Sequence, residues 1–230
     1  VQVSPDGKHV AYVRRSNDSM TDSTRANIWL ASVDGKSHRP LLSSKKSYYS
    51  PRWSPDGKRL AYISNEEGKP QLYIRWMDTG QTALVTNLTS SLGNITWSPN
   101  GDYIAFTMSV DADEKPLKVN MPKKPKDAKW APKFEYITKA RYQADGRGVL
   151  DPAYTHIFIV PTDGGTARQL TSGDYHHGGS LSFSPDSSHI YFSANRSDNW
   201  EYEPVESDRA SVDMSGVITQ LTDFKGAESS

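Results

Sequence analysis

The 230-residue chain contains no cysteine. It therefore has no disulfide framework and no thiolate to serve as nucleophile or metal ligand. It has no excess of charge either, with 27 Lys and Arg against 27 Asp and Glu. That balance gives no reason to expect nucleic acid or an anionic membrane as partner, because both are recognised by concentrated positive charge. No apolar run reaches the roughly 18 residues of a membrane-spanning helix. Hydrophobic residues make up only 35% of the chain. The absence of cysteine suits the bacterial cytoplasm, and a periplasmic protein equally. The first residues already belong to a repeat, as a processed or trimmed start would leave them. What is abundant is aromatic: 6 Trp, 12 Tyr and 6 Phe are spread along the chain among 16 Gly and 14 Pro. That suits many short strands joined by tight turns rather than a few long helices.

One segment recurs. Trp53-Ser54-Pro55-Asp56-Gly57-Lys58-Arg59-Leu60-Ala61-Tyr62-Ile63 has a close copy in Val3 to Val13, another in Trp97 to Phe106, and a looser one in Phe183 to Phe192. Proline presets φ at the first central turn position, aspartate can bond its own backbone, and glycine tolerates positive φ. Each copy therefore reads as strand, turn, strand. A second marker lies between copies: Asn87-Leu88-Thr89, Gln169-Leu170-Thr171, Gln220-Leu221-Thr222 and, more weakly, Leu41-Leu42-Ser43. By this spacing a further Ser-Pro turn falls just past Ser230, so the chain is expected to stop inside the repeat lattice.

The second copy lays out one repeat: strands over Pro51–Trp53, Arg59–Ser64, Gln71–Met77 and Gln81–Asn87. Four short strands in about 45 residues is the period of a β-propeller blade. The fold expected is all-β, a partial β-propeller of about four four-stranded blades, near residues 1–50, 51–94, 95–180 and 181–230. The interval from Ser98 to Ser184 is about twice the others, yet it contains no second Trp-Ser-Pro. The third blade is therefore expected to carry an insertion, residues 110–153, between its second and third strands. Residues 115–133 hold seven lysines and four prolines, which favours a solvated loop. Phe134–Tyr142 alternates as a strand would, and Asp145-Gly146-Arg147-Gly148 reads as a turn. If strands alternate up and down, the insertion shares one edge with the fourth-to-first loops, of which Ser172–Gly179 is the longest. The Ser-Pro turns face the opposite edge.

The chain shows little chemistry of its own. Gly178-Gly179-Ser180-Leu181-Ser182 lacks the last glycine of a nucleophile elbow, and no amphipathic helix follows it. The six histidines form no metal pattern; His176 and His177 read as solvated loop residues that could converge on a ligand. Asp111, Asp113 and Glu114 lack the spacing of a calcium loop. No phosphate-binding glycine loop is present, so neither a metal nor a cofactor is expected. Arg141, Tyr142 and Arg147 place cations beside an aromatic, and arginine holds carboxylates bidentately. These three, with His176 and His177, are the candidates for substrate contact. A charged strand edge accounts for them equally.

The Trp-Ser-Pro-Asp-Gly-Lys repeat with Gln-Leu-Thr between copies resembles the Tol-type propeller repeat, which also builds the N-terminal propeller of the prolyl oligopeptidase family of serine peptidases. The insertion around Ala140-Arg141-Tyr142-Gln143-Ala144-Asp145-Gly146-Arg147-Gly148, and the run from Thr155 to Asp174, are similar to the acylaminoacyl-peptidase-like branch. The resemblance implies a propeller set over a C-terminal α/β-hydrolase domain of the same polypeptide, admitting short peptides and excluding folded proteins. The catalytic serine, aspartate and histidine would lie in that domain, so this chain alone is expected to have no catalytic residue. The other reading is a non-enzymatic Tol-type propeller, acting as a periplasmic protein-interaction module.

Overall fold

The computed structural model describes residues 1–112, 122–129, 137–146, 148–150, 152–223 and 226. Four antiparallel four-stranded sheets follow one another along the chain. The first contains β1 (Gln2–Val3), β2 (His9–Asp18), β3 (Ser23–Ser32) and β4 (His38–Leu42). The second contains β5 (Tyr48–Trp53), β6 (Arg59–Ser64), β7 (Gln71–Trp76) and β8 (Thr82–Leu84). The third begins with β9 (Leu92–Trp97) and β10 (Tyr103–Asp111). A small hairpin, β11 (Gln143–Ala144) and β12 (Gly148–Val149), intervenes before the third sheet resumes with β13 (Ala153–Pro161) and β14 (Arg168–Gln169). The fourth contains β15 (His177–Phe183), β16 (His189–Ala194), β17 (Asp208–Asp213) and β18 (Ile218–Gln220). Among the described residues there is no helix. The architecture is an all-β partial propeller.

The Ser-Pro turns are one device used four times. Each serine hydroxyl donates to the carboxylate or amide oxygen two residues on, at 2.6 Å in Ser4–Asp6, Ser54–Asp56 and Ser98–Asn100. The same hydroxyl accepts the N–H that opens the second strand, at 2.9 Å from His9, Arg59, Tyr103 and His189. The turn glycines need positive φ, as at Gly57 (71°); the looser fourth copy puts Ser187 there, at 62°. Before two of the turns stands a tryptophan that pins sheet to sheet. Trp53 Nε1 donates to the Gln2 carbonyl at 3.3 Å, and Trp97 Nε1 to the Arg52 carbonyl at 3.0 Å. Phe183 has no such donor; there Asn94 Nδ2 reaches across to the Gly179 carbonyl at 2.7 Å.

The second marker closes the outer strands, and its phase differs from the sequence expectation in the second sheet. The hydroxyls of Thr86, Thr171 and Thr222 accept the N–H groups of Leu72, Ile157 and Arg209 at 3.0, 2.9 and 2.9 Å. The equivalent of Leu170-Thr171 is therefore Val85-Thr86, not Leu88-Thr89. The expected strand Gln81–Asn87 is correspondingly short, ending at Leu84. The first strands of the later sheets start a little before the expected blade limits, at Tyr48, Leu92 and His177.

Strand alternation buries both faces of the inner sheets. Ala11, Ile28 and Leu30 meet Leu60, Tyr62 and Tyr73. The other face of the second sheet, Ala61, Ile63, Leu72 and Ile74, meets Ile104, Phe106, Phe158 and Val160. Ala105, Ile157 and Ile159 then meet Ile190, Phe192 and Val212. β10 and β13 pair without a break from Tyr103↔Pro161 to Asp111↔Ala153, so the insertion leaves and returns at one edge of the third sheet. Residues 134–136 of the expected strand lie outside the described residues, and 137–142 are not strand.

Candidate functional site

The edge where the insertion returns is also where the loop before β15 and the loop between β16 and β17 arrive. Thr155, at the start of β13, donates its N–H to His176 Nδ1 at 3.2 Å. Tyr154, His176 and Trp200 form a three-ring cluster. Their centroids are 5.5 Å apart for Tyr154–His176, 5.6 Å for His176–Trp200 and 6.1 Å for Tyr154–Trp200, the last two edge-on. Edge-to-face pairs at this spacing are attractive beyond their buried area. Tyr154 is only 4% exposed, and its hydroxyl has no hydrogen-bond partner.

Glu201 ties the insertion to this cluster. One carboxylate oxygen is 3.3 Å from Lys139 Nζ, and the other accepts the Ala140 N–H at 3.0 Å. Lys139 also lies 5.9 Å from the Tyr154 ring centroid. On the far side, the Arg196 guanidinium stands 5.4 Å over the Tyr175 ring. His176 is exposed, yet the groups packed around its ring and then the charge of Arg141 hold its pKa below the usual value. Arg141 is therefore electrostatically part of the cluster. Tyr142 is 41% exposed at the foot of the β11–β12 hairpin, where its carbonyl accepts the Leu150 N–H at 2.8 Å. Arg147 lies outside the described residues.

His177 corrects the sequence expectation. It is fully buried, so it is a core residue and not a solvated loop side chain. Pairing with Ala194 sets it level with Tyr48, opposite Ser64, and Leu92, opposite Met108, in the two preceding sheets. Its ring is 5.3 Å from His156 and 5.6 Å from Phe192, and neither nitrogen is hydrogen-bonded. Burial first, then the charges of His156 and Arg196, push its pKa down to about 4. His156 occupies the place of Gln71: both flank the marker threonine, with His156 Nδ1 at 3.4 Å from the Thr171 hydroxyl. Burial lowers the His156 pKa as well.

Among the described residues the arrangement offers cations and rings to a ligand. Ser188 Oγ lies 2.7 Å from both Asp186 Oδ1 and His189 Nδ1, but the serine stands between the other two. A hydrolytic triad instead needs the histidine in the middle. Among the described residues no three His, Asp or Glu side chains are placed to hold a metal ion. Trp200 and Glu201 were not singled out from the sequence.

Comparison with known proteins bears on this edge. Residues 7–150 match the TolB beta propeller domain family, and residues 137–229 match the dipeptidyl peptidase IV N-terminal region. The uncharacterized peptidase YuxL of Bacillus subtilis is 33% identical over 195 residues, covering 84% of this chain and 29% of the relative. The Tol-Pal system protein TolB of Alcanivorax borkumensis is 35% identical over 91 residues, 39% of this chain and 21% of that protein. The acylaminoacyl peptidase of Pyrococcus horikoshii superposes with a TM-score of 0.69 at 16% identity, over 94% of this chain and 31% of that one. The chain thus spans about a third or less of the length of these relatives.

Proposed function

The chain belongs to the TolB β-propeller family, and on that footing we propose that it is the non-catalytic propeller of a prolyl oligopeptidase family serine peptidase, gating access and helping to select or orient short peptides. Its partner in this reading is an α/β-hydrolase domain of the same polypeptide. The observation that carries the reading is the extent of the match to the peptidase relative. That match spans 84% of this chain, whereas the match to the Tol-Pal protein covers 39%. The insertion carries the Lys139–Glu201 tie, beside Arg141 and the Tyr154–His176–Trp200 rings. The Arg141 guanidinium suits the carboxylates and carbonyls of a peptide, and the rings suit its apolar or cationic side chains. The contribution would be positioning rather than chemistry.

The test is deletion of residues 115–133 from the polypeptide that carries the catalytic domain. The ratio of kcat/KM for short and long peptides is expected to change; an unchanged ratio refutes the gating role. A second reading, a Tol-type interaction module, is favoured by the 35% identity to the Tol-Pal protein. A Gly-x-Ser-x-Gly segment in the remainder of the coding sequence would decide for the peptidase.

A further inference from the structure

The fourth sheet lacks a ring that the other three carry. In the first three sheets the second and third strands set two aromatics directly opposite each other: Tyr12↔Trp29, Tyr62↔Tyr73 and Phe106↔Phe158. The latter two pairs stack at 5.5 and 5.6 Å. In the fourth sheet the residue opposite Phe192 is Ala210. Both belong to the apolar cluster shared with the third sheet, so the ring is missing from a sheet-to-sheet interface. An open depression of about 330 Å³ lies on this face of the fourth sheet, lined by Ala194, Arg196, Asp208, Ala210, Ile218 and Gln220. The volume is that of a small-ligand pocket.

The lining is asymmetric. Ala194, Ala210 and Ile218 give an apolar floor, while Arg196, Asp208 and Gln220 form a polar rim. Asp208 is engaged by the Gln220 amide at 3.2 Å and the Thr222 hydroxyl at 3.3 Å. Arg196 is exposed and steadied by the Tyr175 ring. It starts the loop that brings Trp200 to the ring cluster, so the depression adjoins the candidate site.

We propose that this depression is a subsite for one aromatic side chain of a bound peptide, an inference that rests on the chain being a peptide-selecting propeller. The ring takes the place filled from within by Trp29, Tyr73 and Phe158 in the other sheets. The Arg196 guanidinium takes the carbonyl or carboxylate of the same residue.

The test is titration of the chain with N-acetyl-phenylalaninamide, N-acetyl-leucinamide and N-acetyl-alaninamide, read from the Ala194 and Ala210 methyl resonances. The phenylalanine compound is expected to bind at least about tenfold tighter than the other two and to move both methyls by its ring current. Ala210→Phe restores the built-in pair and should abolish that binding. Should Ala210→Phe not fold, Arg196→Ala removes the exposed guanidinium and should weaken binding about fivefold. Equal binding of the three compounds overturns the subsite, as does binding that survives both substitutions. Either result leaves the gating role to the length-ratio experiment, which does not depend on the depression.

Discussion

Acidification is expected to remove about 3 kcal/mol of stability through His177 alone. The ring is fully buried, with both nitrogens unpaired, between His156 of β13 and Phe192 of β16. Arg196 adds a second nearby positive charge, and together these outweigh the backbone groups of Thr155 and Tyr175, which favour the charged ring. Folding moves the pKa from 6.5 down to about 4. Above pH 6.5 both folded and unfolded chains hold a neutral ring, and the group makes no difference. Between pH 6.5 and about 4 the unfolded chain takes up a proton that the folded chain refuses, so stability falls as pH falls. A drop of ~2.5 pH units at ~1.36 kcal/mol each gives the figure of about 3 kcal/mol. His156 and His176 are shifted in the same direction and add to the loss. Urea unfolding at stepped pH, run on the wild type and on His177→Leu, isolates the one ring. Leucine is the residue at the matching place in the third sheet, Leu92. The variant should lose about 3 kcal/mol less than the wild type across the window. Two curves that fall in parallel between pH 6.5 and about 4 would refute the reasoning.

Three further outcomes can be checked by equilibrium unfolding or proteolysis. Thr86→Val strips the partner from the buried Leu72 N–H and should cost about 2 kcal/mol, whereas Thr89→Val, at an exposed position, should stay within about 0.5 kcal/mol; equal costs would restore the other phase of the marker. Gly57→Ala places its Cβ no closer than 3.5 Å to Pro5, so its expected loss of about 1–2 kcal/mol comes from positive φ alone; a neutral result in denaturant titration would contradict that. Glu201→Gln removes the charge facing Lys139 while keeping an acceptor for the Ala140 N–H. Stability should change by less than about 1 kcal/mol, but tryptic cleavage after Arg141 should quicken, and an unchanged rate would show that the carboxylate does not hold the segment.

The parts of this fold that the sequence disclosed are those decided within a few residues. A Ser-Pro-Asp-Gly turn carries its hydrogen bonds inside itself, from Ser54 Oγ to Asp56 and back from the Arg59 N–H, so its residues name the structure. The insertion was legible for the same reason: it is an interruption between two recognisable strands, Tyr103–Asp111 and Ala153–Pro161. The marker was misphased in the second sheet because Val85-Thr86 and Leu88-Thr89 look alike locally. Only the long-range bond from Leu72 distinguishes them. His177 was misread because it adjoins exposed His176. Its equivalence to Tyr48 and Leu92 passes through an irregular register between Gly178 and Ser182, which hides the count back from the turn. Trp200 and Glu201 sit far along the chain from Tyr154 and Lys139, and strand parity was the available signal. The loop between second and third strands of the fourth sheet must emerge at the insertion's edge, and an aromatic beside an acid there is the pair to suspect.

The four copies also differ from one another at particular places. A scaffold made of repeats asks for the same residue at the same place each time, because each sheet packs on the next through similar contacts. The Ser-Pro turns obey. The departures gather at one edge and one seam. His156 stands for Gln71 beside the marker threonine, His177 for Leu92 at the strand start, and Ala210 for Tyr73 and Phe158 opposite the second strand. The insertion and the Trp200–Glu201 loop reach that edge from the third and fourth sheets. Each departure costs packing or leaves a polar atom unpaired, as the His177 nitrogens and the Tyr154 hydroxyl record. Asn27, Ser64 and Tyr73 of the first two sheets also hold unpaired buried atoms, so what sets this edge apart is the change of residue type between copies and not the unpaired atoms themselves.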